Sequence, residues 1–155
     1  MSSLAAAARS HLGRSAAISF TVRGLPKAQP RPRAFSRGAH AGVYDPGTAG
    51  EWKGLVVAAA RPHRPTEPLG GPVRLSIDFL MPRPKRLMRA RDEAGELWCT
   101  AKPDRDNLEK AVLDALKQDG WFLDDALVCA GEVRKVYHAK AGVPGARITV
   151  EELEP

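Results

Sequence analysis

Cysteine is nearly missing from this chain of 155 residues, and the two present, Cys99 and Cys129, have no CxxC spacing. That excludes a disulfide framework and a cysteine zinc site, and it points to a reducing, cytoplasmic compartment. Long apolar runs are missing too. No stretch approaches the ~20 residues a bilayer-spanning helix needs, so no membrane partner is expected. Acid is missing from one end: no Asp or Glu precedes Asp45, while Arg9, Arg14, Arg23, Lys27, Arg31, Arg33 and Arg37 all do. His11, His40, His63 and His138 lack metal-ligand spacing and are assigned no role.

What is there supports one compact domain. An apolar fraction of 43% is enough for a core, and the length suits one domain better than two. The net charge of +6 favours polyanionic partners, nucleic acid above all. The opening "MSSLAAAARSHLGRSAA" is rich in Ala, Ser and Arg and superficially suits a transit peptide. A flexible N-terminal extension over residues 1–16, ahead of a domain over 17–155, is the preferred reading.

Periodicity places the elements. "AISFTVRG" alternates Ile18, Phe20 and Val22 with polar residues, and "VRLSIDFLM" does the same with Val73, Leu75, Ile77 and Phe79, so both read as half-buried strands. Pro26, Pro30 and Pro32 make the segment between Leu25 and Gly38 extended and irregular. Thr48 is the expected cap of a helix through "EWKGLVVAAARPH", with Glu51 at the capping-box position and Pro62 ending it. "PRPKRLMRARDEAGELWCT" reads as a mobile basic loop. In "AKPDRDNLEKAVLDAL", Leu108, Val112, Ala115 and Leu116 form one apolar helical face, with Asn107, Lys110, Asp114 and Lys117 on a polar stripe. "CAGEVRKVYH" and "GARITVEEL" follow as strands. The order predicts an α+β fold, a small mixed β-sheet with two main helices.

The carboxylates carry the chemistry. Asp106 followed by Glu109 resembles an N-cap with a reciprocal acid. Asp104 is then left over, and an extended chain would turn both carboxylates to one side, where they repel unless a cation lies between them. A lysine, an arginine or a divalent metal would each serve. Asp124 and Asp125, between apolar "WFL" and "ALV", read as turn residues or as a further ligand source. Three carboxylates from two elements are the hard donors Mg²⁺ or Mn²⁺ takes. Lys110, one turn beyond Asp106, reads as an ion-pair partner or as a charge that steadies a phosphate. A metal held by carboxylates, with a lysine, in a basic chain, points to phosphodiester hydrolysis.

"KPDRDNLEKAVLDAL", "GWFLDDALV" and "VRKVY", with "FLMPRP", "PRPR…VYDP" and "PGARITVE", resemble the signature of the RusA family of Holliday-junction resolvases, over roughly residues 17 to 153. The resemblance implies a homodimeric, Mg²⁺-dependent endonuclease that nicks four-way or branched DNA symmetrically. It implies Asp104, Asp106 and Asp125 as metal ligands, Lys110 as the family's essential lysine, and Asp124 and Asn107 in support. Lys27, Arg31, Arg33 and Arg37 on the arm, Arg83, Lys85, Arg86, Arg89 and Arg91 on the loop, and Lys102 become candidate phosphate contacts. Gln29, where relatives often carry a basic residue, and the N-terminal extension depart from the pattern. Trp98 is a candidate for stacking on unpaired bases, whereas Trp52 and Trp121 are expected in the core. Two other readings stay open, a catalytically silent binder of structured DNA and a nuclease of broader branched-DNA taste.

Overall fold

The structure is a computed structural model and describes residues 16–31, 33–44 and 48–155. The expected extension lies, apart from Ala16, outside the described residues.

Alternation builds the sheet. In β4 (Val73–Met81) the odd-numbered residues Val73, Leu75, Ile77, Phe79 and Met81 are buried, and Arg74, Ser76, Asp78 and Leu80 face the other way. β8 (Gly145–Glu152) lies antiparallel along one edge of β4, and β1 (Ile18–Arg23) lies antiparallel to β8. Along the other edge run β6 (Val128–Ala130) and then β7 (Val133–Tyr137), both parallel to β4. β5 (Leu97–Trp98) closes that side against β7. Among the described residues this is one mixed sheet in the order β1-β8-β4-β7-β5, with β6 also on β4. A separate hairpin joins β2 (Arg33–Arg37) to β3 (His40–Tyr44).

The step from β6 to β7 needs a glycine. Gly131 has φ +132°, and a Cβ there would lie 1.8 Å from the Leu75 carbonyl oxygen. Only a residue without a side chain lets the chain pass so close to β4.

One face of the sheet is covered by two helices, α1 (Gly50–Ala60) and α2 (Arg105–Gln118). Trp52, Val56 and Ala60 of α1 pack in one core with Leu108, Ala111, Val112, Ala115 and Leu116 of α2. Phe20 of β1 meets the Trp121 ring at 5.6 Å and stacks on His63 at 6.0 Å. Trp52 and Trp121 are thus core residues, as expected, while Trp98 is 70% exposed at the sheet edge. The opposite face is polar. Arg134 grips Asp78 through two bonds of 2.7 and 2.9 Å, and Arg147 bridges Asp78 to Glu96. Arg134 first, then its charge and that of Arg147, hold the Asp78 carboxyl below its ordinary value.

The α+β class and the two helices match the sequence reading. The ends of α1 do not. Its N-cap is Ala49, without a side-chain cap bond, so Thr48 does not cap it. Pro62 does not stop the chain abruptly either, because a 3-10 turn over Arg61–His63 continues α1. Proline is compatible with the first turn of such a segment, where its missing N–H is not needed.

That 3-10 turn anchors α2. Asp119, at the C-terminal end of α2, has a side chain 1% exposed and accepts from Arg61 at 2.9 Å and Arg64 at 3.3 Å. Arg64 also donates to the Asp119 carbonyl at 2.8 Å. Here the acid is buried and the cations reach water. The Arg61→Ala/Arg64→Ala double variant should therefore lose about 3 kcal/mol in urea unfolding, since it strands a buried charge. Asp119→Asn should lose less, because both arginines remain solvated.

Candidate active site

The chain enters α2 along a pinned path. Lys135, on the helix-facing side of β7, donates its ammonium to the carbonyls of Ala101 and Pro103, the latter at 2.7 Å. Arg105 donates to the Val133 carbonyl at 3.2 Å, and the Gln29 N–H bonds the Asn107 carbonyl at 2.9 Å. The first turn of the helix is thereby tied to both β7 and the arm that follows β1.

Asp104, not Asp106, is the N-cap of α2, with extended backbone at φ −70° and ψ 143°. Asp106 already lies inside the first turn, where its carboxylate accepts from the Asn107 N–H at 2.9 Å. The Asp-x-x-Glu pattern suggested a box at Asp106. Pro103 and the Arg105–Val133 bond instead start the helix two residues earlier. The Asp104 side chain caps nothing and is bonded to Lys102. Lys102 first, through that bond and then its charge, with Lys135 and Arg31 adding less, holds the Asp104 carboxyl below its ordinary value.

Asp125 arrives from the segment that follows the helix. It opens a 3-10 turn over Asp125–Leu127, and Asp124 caps that turn by accepting from the Ala126 N–H at 3.0 Å. Lys110 joins the two segments: its ammonium lies 3.2 Å from Asp125 and 2.9 Å from Asp114. Lys117 stands further off, 3.9 Å from Asp125 and 4.0 Å from Asp124. Asp114 first, then Asp125, raises the Lys110 ammonium above the ordinary lysine value. Asp124 first, then Lys110, keeps the Asp125 carboxyl low.

The donor chemistry of Asp104, Asp106 and Asp125 suits a hard divalent cation. Their arrangement is not that of a ready ligand trio: among the described residues no three His, Cys, Asp or Glu side chains form a metal-ligand group. Lysines now hold two of these carboxylates, Lys102 on Asp104 and Lys110 on Asp125.

The basic residues divide sharply. Lys27, Arg31, Arg37, Lys85, Arg86, Arg89, Arg91 and Lys102 are exposed. Arg33 lies in β2, with its side chain outside the described part. Arg83 departs from expectation. It is 8% exposed, and its guanidinium donates to the carbonyls of Leu87 at 2.8 Å, Gly95 at 2.7 Å, and Glu93. Four of its five N–H donors are spent on backbone carbonyls, and its burial keeps it from serving as a phosphate contact. Lys140 pins the same loop through the carbonyls of Arg89 and Asp92, so the segment expected to be mobile is tied down from two sides.

Sequence reasoning missed Lys135 and gave Asp114 no site role. The signal for Lys135 was a cation on the same strand face as Val133 and Tyr137, which calls for an inward partner. For Asp114 it was the i,i+4 spacing to Lys110.

An α+β domain that presents a carboxylate–lysine cluster bordered by exposed cations has the build of a nuclease. The chain matches the family model for endodeoxyribonuclease RusA over residues 23–151. It is also similar to the uncharacterized protein YqaN of Bacillus subtilis (strain 168), 34% identical over 141 residues, which cover 88% of this chain and 96% of that one. The chain belongs to the RusA family of Holliday junction resolvases, which are endodeoxyribonucleases. No helix among the described residues is long and apolar enough to cross a membrane.

Two outcomes test this geometry. Lys102→Met should raise the Asp104 carboxyl toward the ordinary aspartate value, and Lys135→Met should raise it less, as read by NMR titration of the side-chain carboxyl. Arg83→Met should cost about 3 kcal/mol in urea unfolding, the size expected when several buried charge-assisted bonds are lost. It should leave the salt dependence of DNA binding unchanged, whereas Arg89→Met should flatten that dependence.

Proposed function

We propose that the protein is a homodimeric, Mg²⁺-dependent, structure-specific endodeoxyribonuclease. Its reaction resolves four-way DNA junctions by paired symmetric nicks, in recombination and repair. The observation that carries this reading is the Lys110 bridge, which joins the D-x-D-N-L-x-K helix to the D-D turn through a contact of 3.2 Å with Asp125.

Asp104, Asp106 and Asp125 would hold the metal, Mg²⁺ or Mn²⁺ in its place. When bound, the metal supplies an activated water and positive charge against the phosphate. The protein's own groups do the rest. Asp114 and Asp125 keep Lys110 protonated, so its ammonium serves as a fixed charge beside the phosphate as negative charge builds there. Asp124 holds the turn that carries Asp125, and the Asn107 N–H orients the Asp106 carboxylate. Lys27, Arg31, Arg37, Lys85, Arg86, Arg89, Arg91 and Lys102 contact phosphates without reading sequence. A two-fold dimer would offer one such site to each of two opposing strands.

With Mg²⁺ present, the protein should nick a synthetic four-way junction and spare linear duplex of the same sequence. Asp104→Asn, Asp106→Asn and Lys110→Met should each slow nicking by about 10²–10³ while junction affinity is retained. Equal cutting of junction and duplex would overturn the resolvase reading. Folded protein that cuts neither would overturn the enzyme reading in favour of a silent binder.

A further inference from the structure

Ahead of Asp104 in the chain, Lys102 and Pro103 line a groove of about 820 Å³, within the range of small-molecule sites. Its floor is formed by Met81, Cys99 and Tyr137, all nearly excluded from solvent. Pro26 and Pro103 contribute flat, rigid walls. Three cations, Lys27, Arg86 and Lys102, stand around it, and Lys27 and Arg86 have no carboxylate ion pair among the described residues. Lys102 and Pro103 are the two residues immediately before Asp104, so this wall of the groove adjoins the carboxylate site.

The chemistry of this lining is divided. An apolar, partly aromatic interior suits the face of a nucleobase, and two cations without a carboxylate partner, Lys27 and Arg86, suit a sugar-phosphate chain. A base stacked inside a duplex cannot enter such a concavity, because its faces are covered by its neighbours. It must leave the stack first, which costs least where pairing is already interrupted. A branch point, where the continuous stack is broken, lowers that cost.

We propose that this groove takes one unstacked nucleotide of the branched DNA. Its base lies over Met81 and Tyr137 between the proline walls, and its phosphate lies against Lys27 and Arg86. Captured this way, the nucleotide holds the adjoining phosphate at Asp104 and makes branched DNA the preferred substrate. The proposal rests on the reading of the protein as a branched-DNA nuclease and names the feature of the substrate that its site selects.

The test is an abasic scan. Four-way junctions carrying a single abasic residue at each nucleotide flanking the cut are compared with the intact junction. The readouts are nicking with Mg²⁺ and affinity of the Asp104→Asn protein by fluorescence anisotropy. One position should weaken both by about tenfold, the worth of one lost stacked base, with its neighbours near normal. Thr48→Trp, which fills the groove from an exposed lining position, should weaken the intact junction to the same degree. That variant should then be indifferent to the abasic residue. Leu25→Asp, at another exposed lining position, should also weaken intact-junction binding and gives a second variant should the first fold poorly. Junction cutting with no sensitive position, or with the same sensitivity in the groove-filled protein, would overturn the groove assignment alone. No Mg²⁺-dependent cutting of any junction would overturn the assignment and the nuclease reading together.

Discussion

The site depends on the seating of one helix face. Leu108, Ala111, Val112, Ala115 and Leu116 of α2 are fully excluded from solvent against the sheet and α1. Burial of each large side chain there contributes about 1.5–3 kcal/mol, whereas an exposed ion pair contributes about 0–1. The packing therefore sets the rotation of the helix, and the charges follow. With that stripe inward, Lys110, Asp114 and Lys117 face out, and Asp125 can be met by Lys110. The cluster is a consequence of the core, not a source of stability.

The same division between inner and outer work runs through the cations. Arg83, Lys135 and Lys140 spend their donors on backbone carbonyls. Arg61 and Arg64 are held by Asp119, and Arg134 and Arg147 by Asp78 and Glu96. The open face of the sheet is therefore paired off. Lys27 and Arg86 at the groove beside Asp104, with the exposed Arg31, Arg37, Lys85, Arg89 and Arg91, are the positive charge left to meet a polyanion among the described residues. A net charge of +6 does not show this distribution, because it counts consumed and available cations alike.

Legibility followed the range of the interaction. β1, β4 and β8 could be read because each alternates over six or more residues with one face buried. β5 and β6, of two and three residues, are too short to show a period and exist because β7 and β4 offer them an edge. The hairpin of β2 and β3 was hidden by the prolines before it. The basic loop looked mobile because its composition says charge and nothing about Arg83 turning inward. The cap of α2 was misplaced by two residues because the Asp106–Glu109 pattern suited it, whereas the helix begins where Arg105 reaches Val133 on a distant strand.

By itself the sequence determined the α+β class, the central strands, the apolar stripe of α2 and the residue types able to hold a metal or steady a phosphate. Those follow from local periodicity and side-chain chemistry. Only the tertiary structure decided which groups meet. It paired Lys110 with both Asp114 and Asp125, drew Asp104 to Lys102, turned Arg83 inward and brought Lys27, Arg86 and Tyr137 around one groove. The Lys110–Asp114 and Lys102–Asp104 pairs are near in the chain, but the Lys110–Asp125 contact and the groove join residues far apart, and these are set by how the sheet and helices pack, which no local pattern records.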